Sequence, residues 1–207
     1  MRYKYPRTFH LPWSEGCTND DKKLSNTNHF NGKRVIVTEK MDGENTSIYG
    51  DGYIHARSLD SSHHNSQSHV KQFASKFSYL IGEDTRVCGE NMFAKHSIAY
   101  DNLDDYFLAF SVWINEKCMC WDQFLDYCYN RGVSTVPILY DGIYDERLIK
   151  ALHTDDSKEG YVVRLAKSFT YDEFEKSVAK FVRKDHVQTD QHWKSAKIVK
   201  NKLKVSK

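Results

Sequence analysis

VIVTEKMDGENTSIYG, Val35 to Gly50, joins two β-rich runs through Asp42-Gly43, a dipeptide that suits a tight hairpin because both residues tolerate positive φ. One lysine, Lys40, stands two residues before that turn. A second Asp-Gly, at Asp51-Gly52, separates NTSIYG from another strand-like run around Tyr53-Ile54-His55-Ala56. Hairpin chemistry repeated over so short a span predicts an antiparallel meander. Lys40 is then either a surface lysine at the mouth of a hairpin or a nucleophile.

Beyond the meander the hydrophobic period changes. Val70, Phe73, Ala74, Phe77, Leu80 and Ile81 recur at helical spacing, and Gly82 stands after them as a stop. Strands are predicted at 85–91 and 106–114, with a turn at Asn115-Glu116-Lys117. A helix over 121–132, a strand over 133–140, a short helix over 145–153 and strands over 159–165 and 177–183 complete the chain. This mixture without strict β-α-β alternation predicts α+β with a largely antiparallel sheet. No repeat, no Gly/Ser-rich linker and three prolines favour a single domain, 1–207.

Composition narrows the classes. The longest apolar run falls far short of the roughly 20 residues needed to span a bilayer, and MRYKYPRTFHLPW lacks a secretory apolar region. A cytoplasmic protein without membrane contact is expected, and the five cysteines, lacking any CxxC pair, read as reduced thiols. The net charge of +2 is unevenly spread, because Lys194 to Lys207 holds six lysines and no acid. That segment is either an arm for polyanion, with Lys194, Lys197 and Lys200 as contacts, or a solvated basic helix or tail at about 188–207.

K-x-D-G alone is common enough to arise by chance. Its weight comes from residues further along the chain: Glu90 in VCGEN, Phe107 and Phe110 in FLAFSVW, Glu159 opening EGYVVR, and Lys180 in AKFVR, each on or beside a predicted strand. This order, from Glu39 to about Lys184, resembles the covalent nucleotidyltransferases, which include ATP-dependent ligases and mRNA capping enzymes. EKMDGEN, with Glu39 before the lysine and Asn45 after it, resembles the RNA ligases of the RNA ligase 2 type. HLPWSEG and HVQTDQHW also look like segments of that group.

The resemblance implies an ATP-grasp-like adenylation domain in which Lys40 takes AMP from ATP with Mg²⁺ or Mn²⁺. Glu159 then binds metal, Glu90 contacts the ribose and joins the metal's oxygen ligands, Asp42 lies close to the nucleophile, and Glu39 and Asn45 contact nucleotide. Phe110 stacks on adenine; Phe107, of opposite strand parity, faces away. Ser111 departs from the family, where aspartate is frequent. Lys180 contacts phosphate, and the second basic residue of that motif is Arg183 or Lys184, with Lys184 sharing the parity of Lys180. A lysine with an ordinary pKa of about 10.4 must lose its proton to attack phosphorus, and Lys180 and Arg57 are candidates to promote that loss.

The expected partner is RNA, as a nicked duplex or broken ends, sealed by a monomer. A DNA ligase, a capping-type enzyme and a non-catalytic nucleic-acid-binding relative are the alternatives. His63, His64 and His69 in SSHHNSQSH read as a loop over the site rather than a metal centre. Trp13 and Trp193 are either RNA contacts or anchors. Deleting Lys194 to Lys207 is expected to weaken sealing, with salt dependence, more than AMP loading.

Overall fold

A computed structural model describes residues 1–59, 64–152, 157–186 and 198–205. The strands of the opening stretch lie where predicted: β2 (Arg34–Lys40) and β3 (Glu44–Tyr49) flank Asp42-Gly43, and β4 (Ile54–Ala56) comes after the second Asp-Gly. Yet β2 and β3 do not pair with each other. They enter different sheets, so the turn at Asp42-Gly43 is the crossing point between two layers.

The first sheet has the order β1-β11-β9-β2-β8, where β1 is Phe9–His10, β8 Ile138–Ile143, β9 Gly160–Leu165 and β11 Val178–Val182. All its pairs are antiparallel except β1 with β11. The second has the order β10-β7-β6-β5-β3-β4 and is antiparallel throughout, with β5 Thr85–Asn91, β6 Phe107–Ile114, β7 Lys117–Cys118 and β10 Phe169–Thr170. Asn115, at φ 50°, makes the β6–β7 turn that the sequence predicts.

Alternation along β2 sets the packing. Val35 and Val37 face a core with Leu11, Phe30, Tyr161, Val163 and Phe181, while Ile36 faces the helices. There α1 (Ser68–Phe77) buries Val70, Ala74 and Phe77, and α2 (Trp121–Tyr129) buries Trp121, Phe124 and Cys128 against Phe107, Ala109 and Val112 of β6. A further cluster fills the space between the sheets, with Cys88 and Trp113 from the second meeting Val162 and Val178 from the first.

Several predicted elements are shorter than their patterns, α2 among them, since it ends at Tyr129. Pro137 offers no N–H and favours extended backbone before it, so 134–136 bridges Ala109 and β8 begins only at Ile138. The helix predicted over 145–153 is α3 (Glu146–Lys150), capped by Asp145, whose carboxylate accepts from the Arg147 and Leu148 amides. The helix predicted to end at Gly82 gives way to a 3-10 turn at Ser78–Leu80. The short β1, β7 and β10 are too brief to show a period. Residues 198–205 are extended rather than helical; Lys194, Lys197 and Trp193 lie outside the described residues. Among the described residues no helix is long and apolar enough to cross a membrane.

Candidate active site

Lys40 closes β2 in register with Gly160, and the residue before that glycine is Glu159. The pairing brings Lys40 Nζ within 2.8 Å of Glu159 Oε2. On the next strand Lys180 lies opposite Val162, two residues from Gly160 and on the same face. Adjacent strands of the first sheet thus supply Lys40, Glu159 and Lys180. The second sheet supplies Asn45 and Glu90, which are cross-strand partners on β3 and β5, and Phe110 on β6. Lys40, Lys180, Asn45, Glu90 and Phe110 line one cavity of about 280 Å³ where the two sheets meet. Glu39 and Arg57 also line it.

Phe110 lies on the cavity face that strand parity predicts, but Ser111 joins it there against parity. Cys88 pairs with Ser111 and Gly89 with Ala109, so Phe110 is the extra residue of a β-bulge. The bulge turns Phe110 and Ser111 to the same side, and both line the cavity. Phe107 points away into the helix-side core, as expected. The carbonyl that the bulge frees at Phe110 accepts from Arg164 Nη1 at 3.2 Å. Tyr5 packs edge-on against Phe110, with ring centroids 5.3 Å apart.

Electrostatics concentrate on the carboxylates. Burial opposes charge on Lys40, but the carboxylates of Glu159, Glu90 and Asp42 outweigh it and raise its pKa. Burial, reinforced by Glu159, Asp42 and Glu44, pushes Glu90 up to about 8 against the pull of Lys40. Lys180 is shifted down, by burial first and by Lys40 next. Its partner is Asp21 at 3.7 Å, which also faces His10. Burial works to raise Asp21, but the Thr18 amide and hydroxyl, with Lys180 behind them, hold it down to about 2. Burial together with Lys180 takes His10 down to about 4.

Asp42 has a local task. Its Oδ2 accepts from the Ser97 and Ile98 amides at 2.7 Å each, and its own N–H donates to Tyr100 Oη at 3.0 Å. It is buried beside Lys40 without lining the cavity. Glu39 lies 3.5 Å from Lys158. Asn45 lines the cavity, and its Oδ1 is buried without a hydrogen-bond partner among the described residues.

The last motif departs from the parity expectation. β11 ends at Val182, so Lys184 lies past the strand, exposed and away from the cavity lining. Arg183 is buried and donates to the carbonyls of Lys158 and Lys184. The positions one residue removed from Lys180 on its own face are Val178 and Val182, both apolar, and Val178 lines the cavity. Lys200 is described, and its Nζ lies 5.0 Å from the centre of the Phe93 ring rather than in the cavity.

Several lining residues escape the motif reading. Tyr5, Pro6 and Thr8 form one wall, and Arg164 another. Arg164 had a signal, a lone charge inside the apolar strand run EGYVVRL, and it is 5% exposed. His186 Nε2 lies 3.4 Å from Glu159 Oε1, the carboxylate oxygen that Lys40 does not take. Trp13 is an anchor: its indole N–H donates to Tyr161 Oη at 2.8 Å. His64 caps a 3-10 turn, accepting from the Ser66 amide, and His69 stacks on Phe93. His63 lies outside the described residues. Among the described residues no three acidic, histidine or cysteine side chains converge to hold a metal by themselves.

A model of the RNA ligase family matches residues 33–182. No curated protein sequence matches the chain. Among solved structures, a lysine-to-alanine variant of Naegleria gruberi RNA ligase with ATP and Mn is similar at a TM-score of 0.55 and 17% identity, over 78% of this chain and 53% of that one. The same enzyme with PPi gives 0.53 and 19%, over 78% and 53%. An aspartate-to-alanine variant without ligand gives 0.55 and 17%, over 89% and 58%. The chain thus spans little more than half the length of these relatives, and at such identity the likeness is one of fold. With the family model covering most of the sequence, from before β2 to the end of β11, the chain belongs to the RNA ligase family.

Proposed function

We propose that this chain is an ATP-dependent RNA ligase, a single adenylyltransferase domain over 1–207 that seals 5′-phosphate and 3′-hydroxyl ends through AMP carried on Lys40. The observation that carries the reading is the Lys40–Glu159 ion pair at 2.8 Å beside a cavity whose opposite wall holds Glu90, Asn45 and Phe110. Membership of the RNA ligase family and the ATP, Mn and PPi bound by a protein of the same fold support it.

In the loading step Lys40 Nζ forms a bond to the α-phosphorus of ATP as the bond to pyrophosphate breaks, and the amine sheds its protons. Glu159 and Glu90 would offer hard oxygen donors, the donor chemistry that suits Mg²⁺ or Mn²⁺. Such a cation, when bound, would offset the charge of the phosphates. Were Glu159 engaged by such a cation it would release the Lys40 ammonium, while Lys180 and Arg57 bias Lys40 toward the neutral amine. Phe110 offers its ring to the adenine, and Asn45, on the same lining, a side-chain amide to polar groups of the nucleotide. AMP then passes to the 5′-phosphate and is displaced by the 3′-hydroxyl. The five cysteines are free thiols, which fits a reducing cytoplasm.

The test is incubation with labelled ATP and Mn²⁺, with labelled GTP in parallel. Wild type should acquire an acid-labile AMP adduct that Lys40→Ala lacks. An adduct of equal yield on Lys40→Ala would remove the nucleophile, and preferential labelling by GTP would remove the ligase reading.

A further inference from the structure

We infer that Asn201 is a positioning residue for AMP loading, clipping the 92–106 loop so that the loop fixes Asp42 beside Lys40. The inference rests on Lys40 being the AMP acceptor. It reassigns part of the basic tail from nucleic-acid contact to assembly of the loading site.

Asn201 is 3% exposed and uses every polar group it has. Its backbone N–H donates to Phe93 O at 3.1 Å and its carbonyl accepts from Tyr106 Oη at 2.9 Å. Its side-chain Nδ2 donates to Met92 O at 2.8 Å, and Oδ1 accepts from the Tyr100 amide at 3.0 Å. Around it 199–204 runs as an extended strip along the loop. Lys95 donates to Val199 O, Lys202 to Tyr100 O, Leu103 to Lys202 O and Lys204 to Leu103 O, all through backbone amides. A solvated arm would not place an asparagine with four satisfied polar groups in the interior.

Tyr100 links this clip to the site. The tyrosine whose amide Asn201 holds accepts, through Oη, from the Asp42 N–H, while Ser97 and Ile98 of the same loop donate to the Asp42 carboxylate. Below them Leu103 and Met92 pack with Met41, the residue after Lys40, and Phe110 packs against the same cluster. The loop therefore braces the turn after the nucleophile by hydrogen bonds and by apolar contact. The tail lysines beside it are already paired on the surface, Lys202 with Asp101 at 3.2 Å and Lys204 with Asp104.

The experiment measures the single-turnover rate of AMP adduct formation at saturating ATP, the KM for ATP, and the melting temperature. It compares wild type, Asn201→Ala, Tyr100→Phe, the double variant, and Lys202→Gln/Lys204→Gln. Asn201→Ala should slow loading by about tenfold to a hundredfold with KM changed less than about threefold, because the nucleophile is misplaced more than the nucleotide. Tyr100→Phe, which leaves the tail untouched, should slow it too, and the double variant should be little worse than Asn201→Ala, because both act through one path. The lysine variant should load at the wild-type rate.

Wild-type loading by Asn201→Ala, or independent multiplication of the two effects, would overturn the inference, as would an equal loss in the lysine variant. If Asn201→Ala does not fold, Tyr100→Phe decides: unchanged loading there overturns it. Failure of the underlying reading is distinguishable, since wild type itself would then form no adduct on Lys40.

Discussion

At Lys40 the ammonium donates to Glu159 Oε2 at 2.8 Å, a contact that favours the charged amine, so on the proposed mechanism loading requires that carboxylate to be drawn elsewhere. Since burial is outweighed by Glu159, Glu90 and Asp42 in raising Lys40, loading should accelerate as pH rises toward the amine's pKa. Glu159→Gln removes the nearest of those charges, and the rising limb of the loading profile should move to lower pH. The plateau should fall by about a hundredfold with the lost carboxylate. A limb that stays in place would mean that Glu159 does not control the amine. Glu90 gives the converse case. Its carboxyl ionises ordinarily near 4.5 and in the fold near 8, so the folded chain binds more protons between those values and loses stability as pH rises through them. Glu90→Gln should therefore melt a few degrees above wild type beyond pH 8, the difference closing toward pH 4.5. Melting curves across that range check it. A residue that weakens the empty fold in this way fits a group kept for binding.

Among the elements, β9 has the tightest constraint. A Cβ on Gly160 would collide with the Phe181 carbonyl of β11, so the strands approach as they do only because that position is glycine. Gly160→Ala should part β9 from β11, cost about 1–3 kcal/mol as overpacking does, and carry the neighbouring Glu159 away from Lys40. Thermal unfolding and adduct yield measure both effects, and a variant that melts lower yet loads normally would show that Glu159 keeps its place without this contact. Strand identities here were legible in alternation and in Asp-Gly turns. The bulge at Phe110 was not, because no bulge leaves a mark in a single run of eight strand residues. Strand parity placed Phe110 correctly against Phe107 but would have sent Ser111 to the wrong face. Lys184 shows the same weakness at a strand end, where parity was extended two residues beyond β11.

Over the whole molecule, the α+β class and the order of the motif residues could be read from the chain, but their division between two sheets could not. Nothing in Val35–Gly50 says that its two strands join different layers, since the hairpin signal is local and the partner choice is tertiary. The wall formed by Tyr5, Pro6 and Thr8 was hidden for a related reason: short extended segments carry no periodicity. The pairing of β2 with β9 has a consequence in time. Lys40 and Glu159 are 119 residues apart in sequence, and His10 meets Lys180 across a longer span still. Contacts of such separation form late. A chain emerging from the ribosome exposes its lysine long before it owns the carboxylate and the second cation, so the cavity between the sheets cannot form while it is unfinished. The charged partners of Lys40 come together only once β9 and β11 have been made, and the Asn201 clip on the 92–106 loop closes later still.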